Sequence, residues 1–191
     1  MPKALIALHF QNDICHRDGK VPFSLDRDGG DPKVFLETSR SLIKTAREKG
    51  WTIIHIHIAF AGDYSDLPRN CRQFKAVAEV GAVKRGSWGA AAMEGFEPEE
   101  SDIALVHSCN NGFHGTGLDG VLRGRGIDTV AVMGLATQFS VEHTVRHAAD
   151  LGYFVTVVRD CCVSANAAAH AASLDVMSYL ADIADRDDLE F

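Results

Sequence analysis

Short apolar runs recur along this chain, separated by segments with a helical pattern, and this alternation limits the folds open to it. "ALIAL" (Ala4 to Leu8) is continuous and apolar, as in a strand buried on both faces. "TIIHIHI" (Thr52 to Ile58), "DIALV" (Asp102 to Val106), "DTVAVMG" (Asp128 to Gly134) and "YFVTVV" (Tyr153 to Val158) read as further strands, with a short last one near Ala181 to Ala184. Between them, Asp31-Pro32 predicts a helix start, with Asp as cap and Pro in the first turn, running to Lys49 and stopping at Gly50. Leu118 to Arg125, Gln138 to Asp150 and the alanine-rich stretch Ala165 to Leu180 complete the helices. Strand–helix alternation requires right-handed crossovers and a parallel sheet covered on both faces. The expectation is one three-layer α/β/α, Rossmann-like domain over residues 1–191, with a central sheet of about six strands.

Ligands in such sheets bind beyond the carboxyl ends of the strands, near the switch in strand order. That rule selects His9 and Phe10 after the first strand, His57 to Phe60 after the second, His107 after the third, and Ala136 to Ser140 after the fourth. The interval from about 59 to 100, with "GDYSDLP" and "RGSWGAA", is long and loop-rich, the pattern of a lid or binding loop.

Charge and composition exclude several partners. A net charge of −7 offers no basic surface for a phosphate backbone, so no nucleic acid is expected. No apolar run approaches membrane-spanning length, and "MPKALIALHF" carries no signal-peptide pattern, so a cytoplasmic protein is expected. The five cysteines (Cys15, Cys71, Cys109, Cys161, Cys162) include no C-x-x-C and suggest free thiols.

In "GLATQFSVEH" (Gly134 to His143) a strand gives way to a helix with a hydroxyl, Ser140, at the turn. A serine there needs a general base, and His9 or His107 is the candidate, since imidazole titrates near neutral pH. Ser140, His143, Thr144 and His147 share helical spacing and read as a polar face, with Glu142 and Arg146 paired at i, i+4. His55 and His57 fall on one strand face, where a metal pair competes with simple packing; packing is expected, and no metal or other cofactor. Cys109, two residues beyond His107, is a candidate displaced nucleophile against a passive thiol. Asp13 is a candidate acid against a turn-capping carboxylate. Phe10, Trp88 and Phe113 are candidate pocket walls, with a core role equally open to Phe113.

"ALIALHFQND", "DYSDLP", "GSWG" and above all "FHGTGLDGVLRGRGIDTVAVMGLATQFSVEHTVRHAADLGYFVTVVRDCC" resemble the isochorismatase-like hydrolases, a cysteine hydrolase superfamily that includes nicotinamidases. The resemblance covers Ala4 to about Cys162. It implies an Asp two residues before the Gln of Q-N-D, a Lys six residues before Phe113, and a Cys in G-[VI]-A-T-x-x-C; this chain has His9, His107 and Ser140 there. It further implies a cis peptide before Ala136 and backbone N–H groups of Ala136 and Ser140 turned into the pocket; Phe10, Trp88, Phe113, Ala136 and Gln138 are the candidate contacts to a small-molecule substrate. With all three triad positions replaced, hydrolysis of an amide-type C–N bond or an enol ether is expected without the usual cysteine mechanism. The alternative is an inactive homologue that binds a small ligand or serves in assembly. Relatives commonly form dimers or tetramers, so a homo-oligomer is expected.

Overall fold

The computed structural model describes residues 1–21 and 31–190. Among these residues six strands form one all-parallel sheet: β1 (Lys3–Leu8), β2 (Thr52–Ile58), β3 (Ile103–His107), β4 (Thr129–Leu135), β5 (Phe154–Val163) and β6 (Asp182–Ala184), in the order β3-β2-β1-β4-β5-β6. The order reverses between β1 and β4, which places the switch point beside the end of β1. The α-helices are α1 (Asn12–Cys15), α2 (Pro32–Glu48), α3 (Arg72–Glu79), α4 (Leu118–Gly124), α5 (Glu142–Asp150) and α6 (Ala167–Met177).

Alternation of side chains along the central strands divides the core between the two sheet faces. Leu5 and Ala7 of β1, Ile53 of β2 and Met133 of β4 meet Leu36, Leu42 and Ile43 of α2 on one face. Ala4, Ile6, Leu8, Ile54, Ile56 and Val132 meet Leu122, Val145 and Leu174 of α4, α5 and α6 on the other. Full burial of each large aliphatic side chain contributes roughly 1.5–3 kcal/mol. The Asp31 carboxylate caps α2 by accepting from Lys33 N–H, and Pro32 occupies the first turn.

Several element bounds differ from the sequence reading. β5 runs on to Val163 through the charged pair Arg159-Asp160. A bulge makes this possible: β4–β5 register passes from Val132↔Val157 to Gly134↔Cys162, and exposed Arg159 pairs with Asp185. Residues 137–141, expected to begin an α-helix, form a π-type turn ahead of α5. α1 has four residues, too few to show a period, and α3 buries only Phe74 and Val77 and has no side-chain cap, so neither had a readable signature. No helix among the described residues is long and apolar enough to cross a membrane.

Candidate active site

His9 follows β1 directly. Its N–H continues the ladder to Ile56 C=O at 2.9 Å, and its φ of 64° lies in the left-handed region, uncommon for a residue with a side chain. His107 ends β3, paired with Ile58, and its carbonyl accepts from Ala59 N–H at 3.0 Å. β2 lies between β1 and β3, so the two imidazoles reach over its end, spanning two strand spacings, roughly 10 Å. They meet with Nε2 atoms 2.6 Å apart, centroids 4.9 Å apart and planes at 52°.

Only one proton fits between those nitrogens. His107 Nδ1 lies 3.1 Å from the Asn111 carbonyl, where it must donate. His107 Nε2 is therefore the bare nitrogen of the neutral ring, and His9 Nε2–H donates to it. Both residues are 4% exposed. Burial lowers the His9 pKa well below its ordinary value, helped by the neighbouring imidazoles of His107 and His57 and opposed by the Leu135 carbonyl. Burial pushes His107 down to about 4, against the pull of the Asn111 carbonyl. At neutral pH the pair is an uncharged donor–acceptor unit.

Across the switch point, β4 ends at the Leu135–Ala136 bond, which is cis as the resemblance implies. The π-type turn follows, with Phe139 N–H and Val141 N–H both directed at the Ala136 carbonyl, at 3.0 and 3.3 Å. Ser140 in this turn is 2% exposed. His9, Ala136 and Ser140 line one cavity of about 20 Å³, closed by Ile14, Val21, Ile58, Leu135, Asn110, and Gln73, Phe74, Val77 and Val83 of the 59–100 segment. That volume holds about one water. Among the described residues neither imidazole hydrogen-bonds the Ser140 hydroxyl; the two rings bond each other instead.

The remaining candidates separate. Trp88 is 54% exposed, makes an edge contact with His16 and lines a different, open groove of about 650 Å³ with Arg40 and Met93. Phe10 is buried between the rings of Phe35 and Phe96. Phe113 stacks on His147 in the opposite core. Gln138 lies in the π-type turn, with its Oε1 buried and without a hydrogen-bond partner among the described residues. Among the described residues no cysteine lines the cavity. Cys109 Sγ lies 3.3 Å from the Asn111 carbonyl and 3.8 Å from His107 Nδ1, and burial pushes its thiol up, away from the thiolate a nucleophile needs.

The Q-N-D turn ties the loop-rich segment to the sheet. Gln11 donates to the carbonyls of Ile58 and Ala90 and accepts from Ile58 N–H at 2.7 Å. Asn12 donates to the Trp88 carbonyl at 2.9 Å. Buried Asp13 accepts from Lys20 N–H and Val83 N–H, and a Cβ on Gly89 would fall 1.9 Å from its carboxylate. The bond from Lys20 closes the local turn, and the bond from Val83 ties the loop-rich segment to it. His55 bonds Asp102 at 3.2 Å, and Arg47 holds the same carboxylate at 2.6 Å, while His57 is pushed down to about 4 by burial and its neighbours His55 and His107. Among the described residues no three His, Cys, Asp or Glu side chains are grouped so as to hold a metal ion. The α5 histidines also diverge: His143 bonds the Phe139 carbonyl, and His147 accepts from Asn111 Nδ2. Asn110, Asn111 and Gln73 were not singled out by sequence, because only the folded loops bring them to this end of the sheet.

The family described as Isochorismatase domain matches residues 3–188. The ureidoacrylate amidohydrolase RutB of Agrobacterium fabrum is 36% identical over 170 residues, covering 82% of this chain and 74% of that protein. The crystal structure of an isochorismatase family protein from Desulfovibrio vulgaris superposes with a TM-score of 0.85 at 25% identity, over 97% of this chain and 94% of that one. The nicotinamidase/pyrazinamidase PncA from Bacillus subtilis shares the fold, with a TM-score of 0.83 at 21% identity over 97% of this chain and all of that one. With the match running from the first residue of β1 to beyond the last strand, this chain belongs to the isochorismatase family.

Proposed function

We propose that this chain is a hydrolase homologue acting on a small molecule, at an amide-type C–N bond or an enol ether, by a route that uses no thiol. The observation that carries this reading is the convergence of His9, Ala136 and Ser140 on one cavity, with His107 bonded directly to His9. The names of RutB and PncA point to amide-type bonds as the first class to try. In the proposed reaction, backbone N–H groups of Ala136 and Ser140 stabilise the developing oxyanion, and the neutral imidazole pair takes the proton of an attacking water through His9 and returns it to the leaving nitrogen. The cavity holds about one water, so a substrate requires the 59–100 segment, which supplies Gln73, Phe74, Val77 and Val83, to open as a lid. A cytoplasmic location and a dimeric or tetrameric assembly belong to the same proposal, on family likeness; light scattering on the purified protein measures the second.

Ligand binding without turnover is the second reading. It is favoured by a Ser140 hydroxyl with no imidazole bonded to it and by an imidazole pair closed on itself. The test is a panel of amides, ureides and enol ethers followed by mass spectrometry. Turnover that falls about 100-fold or more in His9→Gln, stays within tenfold in Ser140→Ala and survives thiol alkylation supports the hydrolase. Saturable binding with no turnover of any panel member replaces it with the binding reading.

A further inference from the structure

We propose that Asn111 is a positioning residue that holds His107 in its Nδ1–H tautomer, so that the single proton of the buried imidazole pair belongs to His9 Nε2. The loop carrying Asn111 is built to present one backbone carbonyl. Asn111 Oδ1 accepts from Phe113 N–H at 2.9 Å, which assigns the amide, and Nδ2 donates to His147 Nδ1 at 2.8 Å. His147 is in turn stacked on Phe113, with centroids 5.4 Å apart and planes at 9°. Gly112 N–H donates to Thr144 Oγ1 at 2.9 Å, and a Cβ on Gly112 would fall 2.9 Å from Ile56 Cδ1. Held by α5 on one side and β2 on the other, the loop aims the Asn111 carbonyl at His107 Nδ1. A neutral imidazole carries one N–H, so committing Nδ1 to the carbonyl leaves Nε2 bare toward His9. The opposite tautomer would set the Nδ1 lone pair against the carbonyl oxygen.

This tautomer decides which ring can receive a proton. With His9 Nε2–H donated and His107 Nδ1–H donated, His107 Nε2 is the acceptor and the shared proton sits on His9, the ring that lines the cavity and that the Leu135 carbonyl also approaches. The role in proton transfer rests on the hydrolase reading; the tautomer does not.

Side-chain 15N–1H correlation spectra of the histidine-labelled protein read the tautomer without any substrate. His107 signals, assigned by their loss in His107→Gln, are expected to show a protonated Nδ1 and a bare Nε2. Asn111→Ala, which removes both side-chain bonds, is expected to shift His107 toward the Nε2–H form. Asn111→Asp is expected to keep Nδ1–H, because its carboxylate still accepts from Phe113 N–H and can accept from a ring N–H of His147. His147→Phe, which keeps the stack and removes one bond, is expected to shift His107 partly, and it carries the test if Asn111→Ala does not fold. A wild-type His107 protonated on Nε2, or a folded Asn111→Ala or His147→Phe with an unchanged spectrum, overturns the proposal. A protein that turns over none of the panel and still shows the Nδ1–H signature loses the hydrolase reading and keeps this one.

Discussion

Ser140 shows what a single residue can and cannot supply at this site. It sits in the turn that opens α5, where backbone N–H groups favour negative charge, but His9, which shares its cavity, and His107 behind it are buried, and burial lowers both pKa values. A thiol placed there by Ser140→Cys alone finds no Lys or Arg among the described residues lining the cavity, and burial raises its pKa. It is expected to titrate at or above the free-thiol value of about 8.5. Adding His9→Asp and His107→Lys brings a cation to the turn and is expected to lower the thiol well below that value. The pH dependence of alkylation, in a background without the native cysteines, reads both; an unshifted thiol in a folded triple variant would mean that the anion cradle has diverged. Gly134, beneath the turn, has a different constraint. Its φ is 130° and a Cβ would fall 2.2 Å from the Leu8 carbonyl oxygen. Gly134→Ala forces β4 away from β1, and a loss of more than about 3 kcal/mol in urea unfolding is expected; a loss under 1 kcal/mol would show that the strand pair can spread.

At the scale of elements, the Q-N-D turn decides how the 59–100 segment sits on the sheet. The Gln11 side chain makes three hydrogen bonds and is fully buried. Gln11→Leu leaves the Ile58 N–H and two carbonyls without these partners, at about 1–3 kcal/mol for each buried group left unsatisfied. The expected outcome is a loss of roughly 3 kcal/mol in urea unfolding, with faster amide exchange at Met93 and Arg85 than in the central strands. Exchange that accelerates uniformly over the whole sheet instead would show that this segment is not a separately anchored unit. The turn residues were legible as a motif, yet their partners Ala90, Trp88 and Val83 lie seventy or more positions away and were not.

For the whole molecule, the buried histidines set a pH dependence of stability. His57 and His107 are pushed down to about 4, and His9, His55 and His170 are lowered as well, burial being the first cause in each. The unfolded chain takes up these protons near pH 6.5, while the folded protein takes up those of His57 and His107 only near 4. Between those values the unfolded state binds more protons, so stability rises with pH across that window. The urea midpoint should be flat above about pH 7, fall as the pH drops through 6.5, and lose the His107 contribution fully near pH 4. For His107 alone that contribution is on the order of 3 kcal/mol. His107→Gln should flatten part of this slope; a midpoint unchanged between pH 7 and 5 would show that these rings take up protons in the fold as readily as in the unfolded chain.

Periodicity and punctuation were enough to place the six strands, the α2 start at Asp31-Pro32 and the switch-point rule that singled out His9, His107, Ala136 and Ser140, because each depends on neighbours within a few residues. Those local signals failed where tertiary contacts override them: β5 crosses Arg159-Asp160 because a bulge turns that pair to solvent, and residues 137–141 wind as a π-type turn rather than an α-helix. The partners at the site lay equally beyond the sequence. That His9 bonds His107 rather than Ser140, that Phe10 packs between two phenylalanines, and that Trp88 lines a separate groove depend on distances of a few ångströms between chain segments far apart in sequence. Residue order determines which groups arrive at the strand ends; strand order, a left-handed turn at His9 and the loop at Asn111 decide which of them touch.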